Sequence, residues 1–214
     1  MVMSAGSTAS TSAETTETAE AAHSAHPLEH PQNASWKILV ERGNLGFAAA
    51  HFITFQGECE PLHGHNYGVR VEAVGELTPD SYVFDFVTLK NIVRELCKAW
   101  DHRFLLPLHN PHLQLTEHPH DWEIVYTGVR PADAPDAPIR YLMPKWTVVP
   151  LPVDNATAER LAQQMALLIV EVMRQRGLGH NLRQLTIGVE ETEMQTAFCT
   201  LDLPTGPAEA HPPG

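Results

Sequence analysis

Cysteine is scarce in this 214-residue chain: Cys59, Cys97 and Cys199 are odd in number, widely spaced and without a C-x-x-C pair. That argues against a disulfide framework and against a zinc knot built from cysteines, and it suits a reducing cytoplasm. Positive charge is scarce too. Fourteen Lys and Arg stand against 26 Asp and Glu, a formal net charge of −12. The basic surface with which a nucleic-acid binder neutralises phosphates is therefore missing, and any anionic ligand must be held by a local convergence of donors. No stretch approaches the ~18 apolar residues of a membrane span, so no membrane partner is expected. The first 36 residues hold neither Lys nor Arg and no apolar run. Neither a signal peptide nor a mitochondrial presequence is legible there, and a cytoplasmic location is expected.

What is present is enough for one domain, with 43% hydrophobic residues to form its core. Residues 1–34, rich in Ser, Thr, Ala and Glu, cannot offset the entropy of ordering and are expected to be a disordered tail, with His23, His26 and His30 as solvated residues in it. Residues 204–214, with four prolines and two glycines, read as a second tail. The working domain is then 35–203.

Within it, Trp36–Arg42 and Gly46–Phe55 read as extended segments around the turn pair Gly43-Asn44. Alternation of Tyr67, Val69, Val71 and Ala73 with polar residues predicts a half-buried strand over 66–77. Leu89, Ile92, Val93, Leu96, Cys97 and Trp100 share one helix face, with Asp85 placed to cap it. A second helix is predicted over 156–176, capped by Asn155 and stopped at Gly177, with Leu161, Met165, Leu168, Ile169, Val172 and Met173 as its buried stripe. Leu185, Ile187 and Val189, then Ala197, Cys199 and Leu201, predict a hairpin turning near Glu193-Met194. This order puts two helices on one face of an antiparallel sheet, an α+β fold. Residues 108–152, with eight prolines, are long for a connection and read as an ordered insertion, with 122–127 and 139–149 as an extra hairpin.

The sharpest chemical feature is His63-Gly64-His65 at the start of a strand. Residues i and i+2 of an extended chain point to one side, so both imidazoles can reach one ion. His51 lies in an extended segment that could pair beside them, and three imidazoles with an open position describe a catalytic zinc better than a closed structural one.

Several ordered strings around these histidines resemble the 6-pyruvoyltetrahydropterin synthase and 6-carboxytetrahydropterin synthase family. They are Phe47-Ala48-Ala49-Ala50-His51, Cys59-Glu60-Pro61-Leu62-His63-Gly64-His65-Asn66-Tyr67, Val83-Phe84-Asp85-Phe86 with Leu89-Lys90, Asp101-His102-Arg103, Asn155-Ala156-Thr157-Ala158-Glu159 and Val189-Glu190-Glu191-Thr192. The resemblance implies the tunnelling fold: a four-stranded antiparallel sheet with two helices on one face, assembled as a homotrimer or homohexamer with a closed barrel. It implies His51, His63 and His65 as ligands of Zn2+, Cys59 with Asp101 and His102 as proton-transfer groups, and Glu191, beside Thr192, as the carboxylate gripping a pterin. The implied reaction is a lyase step on 7,8-dihydroneopterin triphosphate giving 6-carboxy-5,6,7,8-tetrahydropterin, acetaldehyde and triphosphate, on the route to 7-deazaguanine (queuosine) nucleosides.

Two departures keep alternatives open. Cys59 stands four places before His63, as in the carboxy-forming members, yet Glu60 stands three places before it, where a branch lacking the cysteine carries a glutamate and makes 6-hydroxymethyl-7,8-dihydropterin for folate. The chain thus carries two candidate bases, and the folate-linked product, a 6-pyruvoyl product and a zinc-containing pterin binder without turnover stand as alternatives. The insertion could also line the pocket. Arg42, Lys90 and Arg103 are the basic residues nearest the motifs in the sequence, which leaves open which residues hold a triphosphate.

Overall fold

A computed structural model describes residues 34–41, 45–129 and 137–204. The tails expected at 1–34 and 204–214 fall outside it except for Ala34 and Pro204, as do His23, His26, His30 and Arg42. In chain order the strands and helices are β1 (Trp36–Val40), β2 (Gly46–His51), β3 (Thr54–Phe55), β4 (Glu58–Cys59), β5 (His63–Gly75), α1 (Phe86–Trp100), β6 (Arg103–Pro107), β7 (Leu113–Glu117), β8 (Asp121–Tyr126), β9 (Arg140–Pro144), β10 (Val148–Leu151), α2 (Ala158–Gln175), β11 (Leu182–Thr192) and β12 (Gln195–Asp202).

The long strand β5 organises the sheet. Its odd-numbered residues from Tyr67 to Ala73 are buried and its even-numbered ones partly open, the period-two pattern read from the sequence. On one side β11 pairs with it antiparallel, Val69 opposite Val189 and Val71 opposite Ile187. Along the other side lie two strands end to end, β2 against His63–Gly68 and β1 against Val71–Gly75. The hairpin β11–β12 completes the antiparallel part. The expected four-stranded antiparallel sheet is thus β2, β5, β11 and β12, and it is extended.

The extension comes from two parallel strands: β6 runs beside β2, and β10 beside β6. Phe104, Leu105, Leu106 and Pro107 are all buried, so β6 shows a continuous apolar run rather than the alternation by which half-buried strands are recognised. The insertion forms its own three-stranded sheet, β7–β8–β9, one strand more than the expected hairpin.

Both helices lie over the face formed by Phe47, Tyr67, Val69, Val71, Leu185, Ile187 and Val189. Leu89, Ile92, Val93, Cys97 and Trp100 of α1 and Leu161, Met165, Ile169 and Met173 of α2 close this core. Each such aliphatic side chain stabilises the fold by about 1.5–3 kcal/mol on burial. Asp85 caps α1, its carboxylate accepting from the Thr88 N–H at 2.6 Å. The cap of α2 differs from the expected Asn155. Thr157 takes it, accepting from the Arg160 N–H, because Asn155 is engaged elsewhere, donating to the Thr54 carbonyl at 2.9 Å and accepting from the Thr54 N–H at 3.2 Å. A second apolar cluster, Phe52, Cys59, Phe104, Leu106, Ile124, Tyr126 and Val148, lies between the main sheet and the insertion. Among the described residues no helix is long and apolar enough to cross a membrane.

Candidate active site

Strand pairing places the histidines. His51 ends β2 directly opposite His63, the first residue of β5, and His65 follows two places on, opposite Ala49. All three side chains therefore leave the same face of the sheet, the face that the helices cover. The ring centroids are 4.6 Å apart for His51 and His63, 5.2 Å for His51 and His65, and 5.0 Å for His63 and His65.

Each of two rings is turned by a backbone carbonyl. His51 Nδ1 lies 2.8 Å from the Ala156 oxygen just before α2, and His63 Nδ1 lies 2.8 Å from the Pro61 oxygen. A carbonyl only accepts, so each Nδ1 carries the hydrogen and each Nε2 keeps its lone pair for an ion. His51 is fully buried. Burial pushes its pKa down, against smaller upward contributions from the Ala156 bond and from Glu191, so the ring is held neutral.

The ligand nitrogens of His51, His63 and His65 all lie within 4.8 Å of one another. A tetrahedral ion with bonds of about 2.0–2.1 Å holds its donors about 3.3 Å apart, so small ring rotations close the set. Three imidazoles, one buried and two half-buried, fit a divalent ion that keeps a coordination position for substrate.

Beside them stands Glu191. Its Oε1 is 3.5 Å from His51 Nε2, 3.9 Å from His65 Nε2 and 3.3 Å from the Tyr67 hydroxyl, which donates to it. The neighbouring Glu190 points to the other face of the sheet, where Arg70 binds it at 2.7 Å. Alternation along β11 thus separates two adjacent carboxylates, and the register shift between Glu190 and Thr192 ends the strand there. Glu191 also lines a pocket of about 350 Å³ with Ile53, Thr157, Glu159 and Thr196. Two carboxylates there make it a receptor for a donor-rich ring edge. Thr192 is exposed and its hydroxyl donates to Gln195 across the turn. Tyr67, which ties His51 to Glu191, carries no chemical signal in the sequence, because a tyrosine in an alternating strand reads as core.

The two candidate bases occupy different surroundings. Cys59 is 7% exposed, inside the second apolar cluster, and burial pushes its thiol up to about 11. The sequence-level expectation of a thiol acidified by a nearby cation is thus opposed by desolvation. Glu60, the next residue, is exposed at the end of β4.

Asp101 and His102 sit at the turn from α1 into β6. The Ala48 N–H donates to Asp101 Oδ1 at 2.8 Å, the His102 N–H donates to the Ala48 carbonyl at 2.6 Å, and His102 Nδ1 is 2.9 Å from Asp101 Oδ2. The Ala48 N–H and then the His102 ring hold the Asp101 carboxyl below its usual range. His102 adopts φ 55°, a left-handed conformation that these bonds stabilise. Its ring, 81% exposed, lines a different hollow of about 460 Å³, where Ala48, Ala50 and Gly64 leave space and Arg103 and Thr147 close one side. Ala48 and Gly64 alternate with the histidine positions, and Ala49 and His65 line the same hollow, so it lies where β2 and β5 meet the start of β6. One chain brings together His51, His63, His65 and Glu191, and it presents His102 outside the Glu191 pocket, in the hollow that His65 also lines.

Residues 42–202 match the model of the 6-pyruvoyl tetrahydropterin synthase family. The chain belongs to this family. A curated relative from Methanocaldococcus jannaschii, provisionally named a 6-carboxy-5,6,7,8-tetrahydropterin synthase, is 29% identical over 148 residues, 69% of this chain and 84% of the relative. Among solved structures, the 6-pyruvoyltetrahydropterin synthase of Plasmodium vivax superposes with a TM-score of 0.70 at 30% identity, covering 80% of this chain and all of the other. A variant of that enzyme, in which a glutamate described as a catalytic residue is replaced by alanine, superposes with the same TM-score at 29% identity and the same coverage. The likeness to the Plasmodium enzyme therefore spans the whole of that chain.

Proposed function

We propose that this chain is a zinc-dependent lyase acting on 7,8-dihydroneopterin triphosphate and forming 6-carboxy-5,6,7,8-tetrahydropterin. The observation that carries the reading is the convergence of His51, His63 and His65 on one point with Glu191 at its edge. Zinc held by the three imidazoles would polarise the hydroxyls of the substrate side chain and ease proton movement on the adjacent carbons. Glu191 accepts hydrogen bonds from the amino and ring N–H donors of the pterin, and Tyr67 and His51 fix the direction of its carboxylate. A base next to His63 removes a proton from the side chain. The Asp101-His102 pair, lying outside its own Glu191 pocket, relays protons for a site completed by a second copy. The name of the archaeal relative supports the carboxy product.

A second reading, formation of 6-hydroxymethyl-7,8-dihydropterin alone or as a second activity, is favoured by one observation. Glu60 is exposed and Cys59 is buried and protonated, so in this conformation the carboxylate is the accessible base. The glutamate described as catalytic in the Plasmodium enzyme supports the same choice.

Assembly with further copies is supported by β12, a strand of eight residues that among the described residues pairs on one side only, since an open edge of that length seeks another strand; assembly on threes is what the family resemblance implies. Three free cysteines suit a cytoplasmic setting. Incubation of the zinc-loaded chain with the triphosphate substrate, with chromatographic identification of products, tests the reading. Neither product from fully loaded protein would refute it.

A further inference from the structure

The insertion has no part in the chemistry so far, yet it forms the seat of the β3–β4 hairpin that carries Cys59 and Glu60. Asn110, itself 5% exposed, donates from Nδ2 to Thr54 Oγ1 at 2.8 Å. At the tip of the hairpin the Val129 N–H donates to the Gly57 carbonyl at 2.7 Å, and the Tyr126 hydroxyl donates to the same oxygen. Tyr126 also reaches the Val129 carbonyl at 3.1 Å. Beyond the hairpin, the Tyr141 ring stacks on Phe52 with centroids 5.7 Å apart.

This contact depends on two glycines. Gly57 has φ +84°, which lets the tip turn, and a Cβ at residue 128 would meet the Gly57 oxygen at 2.6 Å and the Tyr126 hydroxyl closer still. Tyr126 also lines the apolar cluster that encloses Cys59. The hairpin is short, with two paired residues on each strand, and a shift of one residue in such a pair exchanges inward and outward side chains.

We propose that Tyr126 is a positioning residue: by holding the Gly57 carbonyl it biases the hairpin toward Cys59 inside the insertion's apolar cluster and Glu60 at the surface, and so sets how much turnover runs through Cys59 to the carboxy product and how much through Glu60 to the hydroxymethyl product. The proposal rests on the reading of Cys59 and Glu60 as the bases of two competing reactions. It gives the insertion a function, the choice between a carboxy and a hydroxymethyl product.

The test uses the full zinc-loaded chain with Tyr126→Phe, which removes the hydroxyl and keeps the ring, and with Gly128→Ala as a second variant. Two quantities are read: the alkylation rate of Cys59 by peptide-resolved mass spectrometry, with buried Cys97 as internal reference, and the ratio of the two pterin products alongside kcat and KM. The expected result is a Cys59 alkylation rate raised about tenfold in either variant. The product ratio should move at least threefold toward the carboxy product, through kcat, with KM and zinc content unchanged. Alkylation at the wild-type rate in both variants overturns the positioning role and leaves the base assignment standing. Raised alkylation with an unchanged product ratio overturns the assignment of the two bases and the selection built on it.

Discussion

His51 Nε2 lies 3.5 Å from Glu191 Oε1, joining the last residue of one strand to the end of another 140 residues later. The imidazole is fully buried and the carboxylate partly open, so the pair spans the boundary between the core and the pocket. Because burial lowers the His51 pKa, the folded state resists taking the proton that the unfolded chain takes readily. The stability contributed by the neutral ring is complete above about pH 6.5, the unfolded value, and is lost as pH falls toward the lowered folded value. Metal-free protein should therefore melt at a steady temperature from pH 8 to 7 and at a falling one from pH 6.5 to 5.5. The lowered pKa of Asp101 acts only at more acid pH. A melting temperature that rises over the 6.5 to 5.5 interval would contradict the burial of a neutral His51.

Metal analysis should find one zinc per chain. Replacing both His63 and His65 by alanine leaves one imidazole, and zinc should fall below a tenth of the wild-type content in protein that retains its circular dichroism spectrum. Full zinc content in the double variant would place the ion elsewhere.

Glu191→Gln keeps the shape of the side chain and removes the charge. A hydrogen bond to a charged acceptor contributes about 1.5–3 kcal/mol, so KM should rise about 10- to 150-fold while zinc remains bound. An unchanged KM would remove Glu191 from substrate recognition.

Among the described residues β12 pairs only with β11, and light scattering at micromolar concentration should report a trimer or hexamer. A monomer that turns over substrate at the wild-type rate would contradict a site completed between copies.

Both helices, the β11–β12 hairpin and the alternation of β5 were legible in the sequence because each repeats a local period over at least eight residues. The histidine cluster was legible because His-x-His on a strand fixes two of its members, and the third needed only the pairing of β2 with β5. What local pattern could not reveal depends on contacts distant in sequence. Strand β6 is buried on both faces and lacks alternation. Asn155 is drawn from its expected cap by Thr54, about a hundred residues away, and Thr157 replaces it. The opposite surroundings of Cys59 and Glu60 arise from an insertion that begins some fifty residues later.

The most direct measurement is product analysis of wild type, Cys59→Ala and Glu60→Ala, each zinc-loaded and given 7,8-dihydroneopterin triphosphate. The wild type should release 6-carboxy-5,6,7,8-tetrahydropterin with acetaldehyde. Cys59→Ala should lose that product with zinc retained, and Glu60→Ala should lose any 6-hydroxymethyl-7,8-dihydropterin while keeping the carboxy product. If Glu60→Ala alone abolishes all turnover and Cys59→Ala is fully active, the carboxy-forming assignment is contradicted and the folate-linked reaction takes its place.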